Sequence, residues 1–195
     1  MAETPFRVVT VCTGNICRSP MAEYLLRHAL QEDTRRHPEE WGHAGEGHAG
    51  EGAAESVRRT VVVDSAGISD EEAGRPMDSR AASQLRELGV DPAGHVARAW
   101  DNAWFQGRDL ILAMDVNHYR ALIRWAPDER SRAKVRMFRS FDPALAGKDP
   151  EEQGIYDPWY GDRADFVECG DMISSTLEPL VAFIRASVAH EAQPE

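Results

Sequence analysis

The sequence predicts an α/β fold: one domain over residues 1–195, three layers deep, with a four-stranded parallel sheet and helices on both faces. Three observations lead there. Apolar runs at Phe6–Val11, Val61–Val63 and Leu110–Met114 are largely continuous rather than alternating, as strands buried on both faces are, and Val135–Phe138 is a short fourth strand candidate. Helical patterns separate these runs, which is the spacing of βαβ units. The first run ends in a glycine-bearing loop that opens at once into a helix, Cys12-Thr13-Gly14-Asn15-Ile16-Cys17-Arg18-Ser19-Pro20. Ligands in such folds sit beyond the carboxyl ends of the strands, where this loop falls.

Taken in order, the first helix has Met21, Leu25, Leu26, Ala29 and Leu30 on one face. Ser19 suits its cap and Pro20 its first helical position, where no N–H is needed. Gln31 to Thr60 is polar and repeats itself, Gly42-His43-Ala44-Gly45-Glu46 and then Gly47-His48-Ala49-Gly50-Glu51. It is too glycine-rich for a stable helix, and residues 32–59 read as a mobile surface insertion. His43 and His48 lie beside glutamates, but nothing there fixes ligand geometry, so no metal site is expected.

The second strand closes at Asp64-Ser65-Ala66-Gly67, and a turn-rich stretch runs to Met77. Asp78 caps a helix with Ala81, Ala82, Leu85 and Leu88 inward and Gly89 at its end. His95 to Trp100 has no clear period, and Asp101 can start a brief helix. After the third strand, Asp115 caps a helix with Val116, Tyr119, Leu122 and Ile123 facing in, stopped by Pro127. Phe141 to Asp165 is loop, rich in Pro, Gly and Asp. The last helix spans about Asp165 to Ala189, with Ile173, Leu177, Leu180, Val181, Ile184 and Val188 inward and a kink expected at Pro179. From about residue 190 a flexible tail follows.

Composition narrows the partners. A formal charge of -11 argues against nucleic acid and against an anionic membrane surface. No run approaches a membrane span, and no signal-peptide pattern opens the chain. Three cysteines, an odd number, fit a reducing compartment, so a cytoplasmic location is expected, and a monomer is expected besides.

The Cys12 loop carries the chemistry. Strand, short loop and helix start point successive N–H groups inward as an anion cradle. Those donors, the helix dipole and Arg18 all favour negative charge on the sulfur and would hold a tetrahedral oxyanion against it. The Arg18 fork matches two phosphoryl oxygens, so no metal or cofactor is required. Cleaving a phosphate ester also needs an acid for the leaving oxygen. Asp157, in Tyr156-Asp157-Pro158-Trp159-Tyr160-Gly161-Asp162, is stiffened by Pro158, though on these residues alone the stretch reads equally as a surface turn. Asp162 is the second candidate acid.

Val11 to Glu23, VCTGNICRSPMAE, resembles the signature of the low-molecular-weight protein tyrosine phosphatases. The resemblance spans Phe6 to Val188 apart from the 31–60 segment. It implies hydrolysis of phosphotyrosine esters, with Cys12 as nucleophile, a phosphocysteine intermediate, and Arg18 with the loop amides from Thr13 to Ser19 binding phosphate. It selects Asp157, because the family carries Asp-Pro and two aromatics late in the chain. It implies that Asn15 and Ser19 hold the loop shape together with Ser65 and His95. On residues alone, His95 is equally an ordinary half-buried histidine. Ile16 matches the phosphotyrosine rather than the phosphoarginine branch, and Cys17 matches a position that pairs reversibly with the nucleophile. Phosphotyrosine proteins are the implied partners, with a cognate tyrosine kinase opposing.

Trp159 and Tyr160 match one wall of the substrate slot. Family members place an aromatic on the other wall, where this chain has Glu71. An acid there loses ring stacking and favours basic surroundings. Three alternatives remain at this stage: an arsenate reductase, a phosphoarginine phosphatase, and a phosphopeptide-binding module without turnover. The first needs a further cysteine pair, and no cysteine lies between Arg18 and Glu168.

Overall fold

The computed structural model describes residues 4–41 and 60–190. Four parallel strands lie in the order β2-β1-β3-β4, with β1 at Phe6–Cys12, β2 at Val61–Gly67, β3 at Leu110–Ala113 and β4 at Val135–Met137. β1 is central and buried on both faces, which is why its sequence does not alternate. Val8 and Cys12 face one side, with Leu110 and Leu112 of β3. Val9 and Val11 face the other, with Ile111 and Ala113.

Helix α1 (Arg18–Arg36), α2 (Ser79–Glu87) and α6 (Arg163–His190) cover the first face. Short α3 (Trp104–Gly107) and α4 (Val116–Trp125) cover the second, through Phe105 and Leu122. The predicted three-layer fold is therefore observed. The chain passes from β1 outward to β2 on one side and to β3 on the other, so the carboxyl ends of β1 and β3 meet at a switch point.

Several elements differ from expectation. Ser19 is not the helix cap: α1 begins at Arg18, the cap position is Cys17, and no side chain caps it. The Ser19 hydroxyl is instead held inside the cysteine loop. Nor does α1 stop at Gln31. It runs to Arg36, tied down by Asp33, whose carboxylate accepts from Arg185 Nη1 at 2.9 Å and from Trp41 Nε1 at 2.8 Å. The histidine repeat and the rest of 42–59 lie outside the described residues, as does the chain beyond His190.

Leu88 ends α2 at 37% exposure instead of facing inward. In α4 the buried residue of the first turn is His118, while Val116 is only partly covered. A short helix α5 (Glu129–Ala133), capped by Asp128, precedes β4, and the Phe141–Asp165 segment holds 3₁₀ turns at Pro143–Leu145, Pro150–Gln153 and Pro158–Tyr160. Helix α6 continues through Pro179. By length and composition it could cross a membrane, but its apolar stripe, including Ile173, Leu180 and Ile184, is fully buried in the core beneath α1 and α2.

Candidate active site

The loop after β1 is held by its carbonyls. Cys12 O accepts from Ile68 N at 2.9 Å, Thr13 O from Ser69 N at 3.0 Å, and Ile16 O from Asp78 N at 2.9 Å. Asn15 O takes the fourth bond, from His95 Nε2 at 2.7 Å. With four carbonyls engaged by neighbouring segments, the N–H groups are left to face the concave side. One of them, Asn15 N, donates to Cys12 Sγ at 3.3 Å, and Ser19 Oγ lies 3.0 Å from the same sulfur. The first turn of α1 adds N–H groups that no side chain caps.

Asn15 fixes the shape. Its φ is +59°, a left-handed conformation that asparagine tolerates better than most residues. Its Nδ2 donates to Ser19 Oγ at 2.9 Å and to Ser65 Oγ at 2.7 Å, and its Oδ1 accepts from Arg98 N at 2.9 Å. The Ser65 hydroxyl in turn donates a hydrogen bond to the Glu23 carboxylate. Burial raises the Glu23 carboxyl, against the pull of the Ser65 bond and of Arg27, 2.6 Å away. Burial also lowers His95. Ser65 and His95 thus touch the loop as expected. Gly67, at the end of β2, lets this network close: a Cβ there would meet Thr13 O at 2.5 Å.

Arg18 is 3% exposed, and three groups anchor its guanidinium. Nη1 donates to Asp115 Oδ2 at 2.8 Å and to Ile155 O at 3.3 Å, and Nη2 donates to Asp157 Oδ2 at 2.6 Å. Burial opposes its charge, but Cys12 and the carboxylates of Asp157 and Asp115 outweigh it, and its pKa is raised. Asp157 is half-exposed and caps the Pro158–Tyr160 turn by accepting from Trp159 N at 3.1 Å. It lines one pocket with Cys12, Arg18, Glu71, Trp159 and Tyr160. Trp159 is 37% and Tyr160 96% exposed, so the aromatics form a rim. Asp162 stands apart from this pocket and accepts from Ala164 N at the start of α6.

Cys17 lies inside the same pocket wall, 5% exposed. Burial first, then Asp78 and Cys12, push its thiol pKa up. Cys169 is wholly buried on α6, and burial raises it to about 12.

Sequence reading missed three parts. Asp115 appeared only as a helix cap, yet it also grips Arg18. Glu72 was passed over, yet it joins Glu71 at the rim and packs against Gly14. His118 drew no attention, yet its Nε2 lies 2.9 Å from Thr13 Oγ1 and its Nδ1 accepts from Asp115 N at 3.1 Å. Burial lowers His118 to about 4, against the pull of Asp115. The signal was present as the Asp115-x-x-His118 spacing of a capping box directly after a strand at the switch point.

The family model described as low molecular weight phosphotyrosine protein phosphatase matches residues 7–58 and 43–193. A low molecular weight protein-tyrosine-phosphatase of Streptomyces coelicolor is 40% identical over 187 residues, 96% of this chain and 98% of that protein. Among solved structures, a protein tyrosine phosphatase from Entamoeba histolytica superposes with TM-score 0.73 at 25% identity, over 93% of this chain and 98% of the other. Vibrio vulnificus Wzb, solved in complex with benzylphosphonate, gives TM-score 0.66 at 26% identity, over 91% and 98%.

Proposed function

The chain belongs to the low molecular weight phosphotyrosine protein phosphatase family, an enzyme family that hydrolyses phosphotyrosine, and we propose from that membership that Cys12, Arg18 and Asp157 carry the reaction. Cys12 Sγ attacks phosphorus while the bond to the tyrosyl oxygen breaks, and Asp157 gives that oxygen its proton. The phosphoryl group is then held on sulfur. Water attacks next, Asp157 takes its proton, the S–P bond breaks, and phosphate and the thiolate are released. Arg18 and the loop N–H groups bear the charge of the equatorial oxygens in both steps.

One observation supports this most directly. Arg18 leaves the cysteine loop and meets, at 2.6 Å, a carboxylate 139 residues further along the chain, so phosphate-binding group and proton donor share one pocket with the sulfur. A binding module without turnover has no use for a thiol and an acid on the two sides of a bound phosphate. Ile16 supports tyrosine over arginine as the phosphorylated side chain. The acidic rim of Glu71 and Glu72 supports a preference for phosphotyrosine flanked by basic residues.

The substrates are phosphotyrosine proteins, made by a tyrosine kinase that this enzyme opposes. The free thiols of Cys12, Cys17 and Cys169 support a reducing cytoplasm.

Turnover of p-nitrophenyl phosphate and of phosphotyrosine, phosphoserine and phosphoarginine peptides tests the reading. Hydrolysis of p-nitrophenyl phosphate and of the phosphotyrosine peptide is expected, with the phosphoserine and phosphoarginine peptides left intact; it should be abolished in Cys12→Ser and lowered about 10²–10³-fold in kcat in Asp157→Asn. Full activity in Cys12→Ser would overturn it.

A further inference from the structure

Thr13 follows the nucleophile in sequence and lines its pocket. Its hydroxyl meets the Nε2 of His118, 2.9 Å away and 105 residues later. The His118 ring is 1% exposed. Its Nδ1 accepts the Asp115 backbone N–H at 3.1 Å, so in the neutral ring the proton sits on Nε2 and points at Thr13 Oγ1. A hydroxyl has two lone pairs and one proton. His118 fills a lone pair, and among the described residues no other protein group bonds Thr13 Oγ1, so its proton remains for donation.

The direction of that donation follows from what surrounds the ring. Asp115, whose backbone N–H meets the His118 ring and whose Oδ1 accepts the His118 backbone N–H, also holds Arg18 through Oδ2. Thr13, Arg18 and Asp157 line one pocket, so the hydroxyl stands beside the guanidinium and the carboxylate proposed to bind and protonate the substrate.

We propose that His118 is a positioning residue for phosphoryl transfer, orienting the Thr13 hydroxyl as a hydrogen-bond donor to an oxygen of the bound phosphate ester. This rests on the reading of Cys12 as nucleophile. No proton is transferred along the pair. His118 only fixes which way the hydroxyl points, sparing the reaction the entropy of a free rotor.

Two substitutions at one position separate this role from simple packing. In His118→Gln the side-chain amide N–H can still reach Thr13 from the place of Nε2. In His118→Asn the shorter amide can serve the Asp115 N–H from the place of Nδ1 but cannot reach Thr13. Expected are a loss of about tenfold in kcat/KM for p-nitrophenyl phosphate in His118→Asn and in Thr13→Val, and recovery of most of it in His118→Gln. The double variant His118→Asn with Thr13→Val should be no worse than either single one, since both remove the same donor.

Losses that multiply to about a hundredfold in the double variant, or a His118→Gln enzyme as poor as His118→Asn, would overturn the proposal. If His118→Asn does not fold, Thr13→Val decides alone, and wild-type kcat/KM in it refutes the role. Cys12→Ser run in parallel keeps two failures apart. Inactive Cys12→Ser with uncoupled His118 and Thr13 sinks only this inference, and active Cys12→Ser sinks the catalytic reading beneath it.

Discussion

At the scale of single residues, Asn15 makes the strongest claim on the site. It holds a positive φ, two donors and one acceptor at once, all within the cysteine loop and its neighbours. Asn15→Ala should therefore cost about 3 kcal/mol in urea unfolding, from the left-handed backbone and the buried partners left unpaired. Asn15→Gly relaxes the backbone and should recover about 1 kcal/mol of that, with activity still depressed. His118 gives a second residue-level expectation, in pH. Its folded-state value, about 4, lies below that of an unfolded histidine, so the unfolded chain binds the extra proton first as pH falls. The stability it contributes is present at neutral pH and is lost from about pH 6.5 towards pH 4, by about 3 kcal/mol in full. Burial of His95 acts in the same direction. Unfolding midpoints in urea at pH 7 and pH 4.5 measure the slope, and His118→Gln should flatten it.

At the scale of elements, the Asp157 loop is tied to α2. Asp78, the cap of α2, donates its backbone N–H to Ile16 O of the cysteine loop. Arg80, two residues on, clasps the Asp78 carboxylate, lies 4.6 Å over the Phe166 ring, and donates to Gly161 O at 2.9 Å and Trp159 O at 3.2 Å. One helix start thus spaces the Cys12 loop from the Asp157 loop. Arg80→Leu keeps apolar contact with Phe166 but releases the two carbonyls. It should lower kcat about tenfold, while the inhibition constant of inorganic phosphate changes by less than about twofold, because the acid is misplaced and the cradle is not. Equal losses in both would show that α2 supports the cradle instead.

At the scale of the whole molecule, charge and site pull in opposite directions. The chain carries a net charge of -11, and Glu71 and Glu72 bring that sign to the pocket edge, yet the substrate's phosphate is an anion. On the proposed reading, attraction is confined to the cysteine loop and Arg18, which act at contact range, and the longer-ranged field selects the residues around the phosphotyrosine. The kcat/KM for a lysine-flanked phosphotyrosine peptide should exceed that for a glutamate-flanked one about tenfold at low salt. The ratio should shrink as ionic strength rises, and in Glu71→Lys it should fall at every salt concentration.

What the sequence determined by itself is what neighbours along the chain decide. Continuous apolar runs announced the buried strands, and Cys12 to Pro20 announced an anion cradle, because strand, loop and helix start are fixed by adjacent residues. Asp157 needed the family resemblance, since Asp-Pro before aromatics is also an ordinary turn. Tertiary structure alone decided the rest. Ser19 looked like a cap, but its hydroxyl is claimed by Asn15 and by Ala66 O, 47 residues away at the end of β2. His118 and Thr13 meet across 105 residues, and Arg18 and Asp115 across 97, because the β1–β3 switch point brings two strand ends together. A hydrogen bond acts over about 3 Å, so partners so far apart along the chain become legible only when packing has closed that gap.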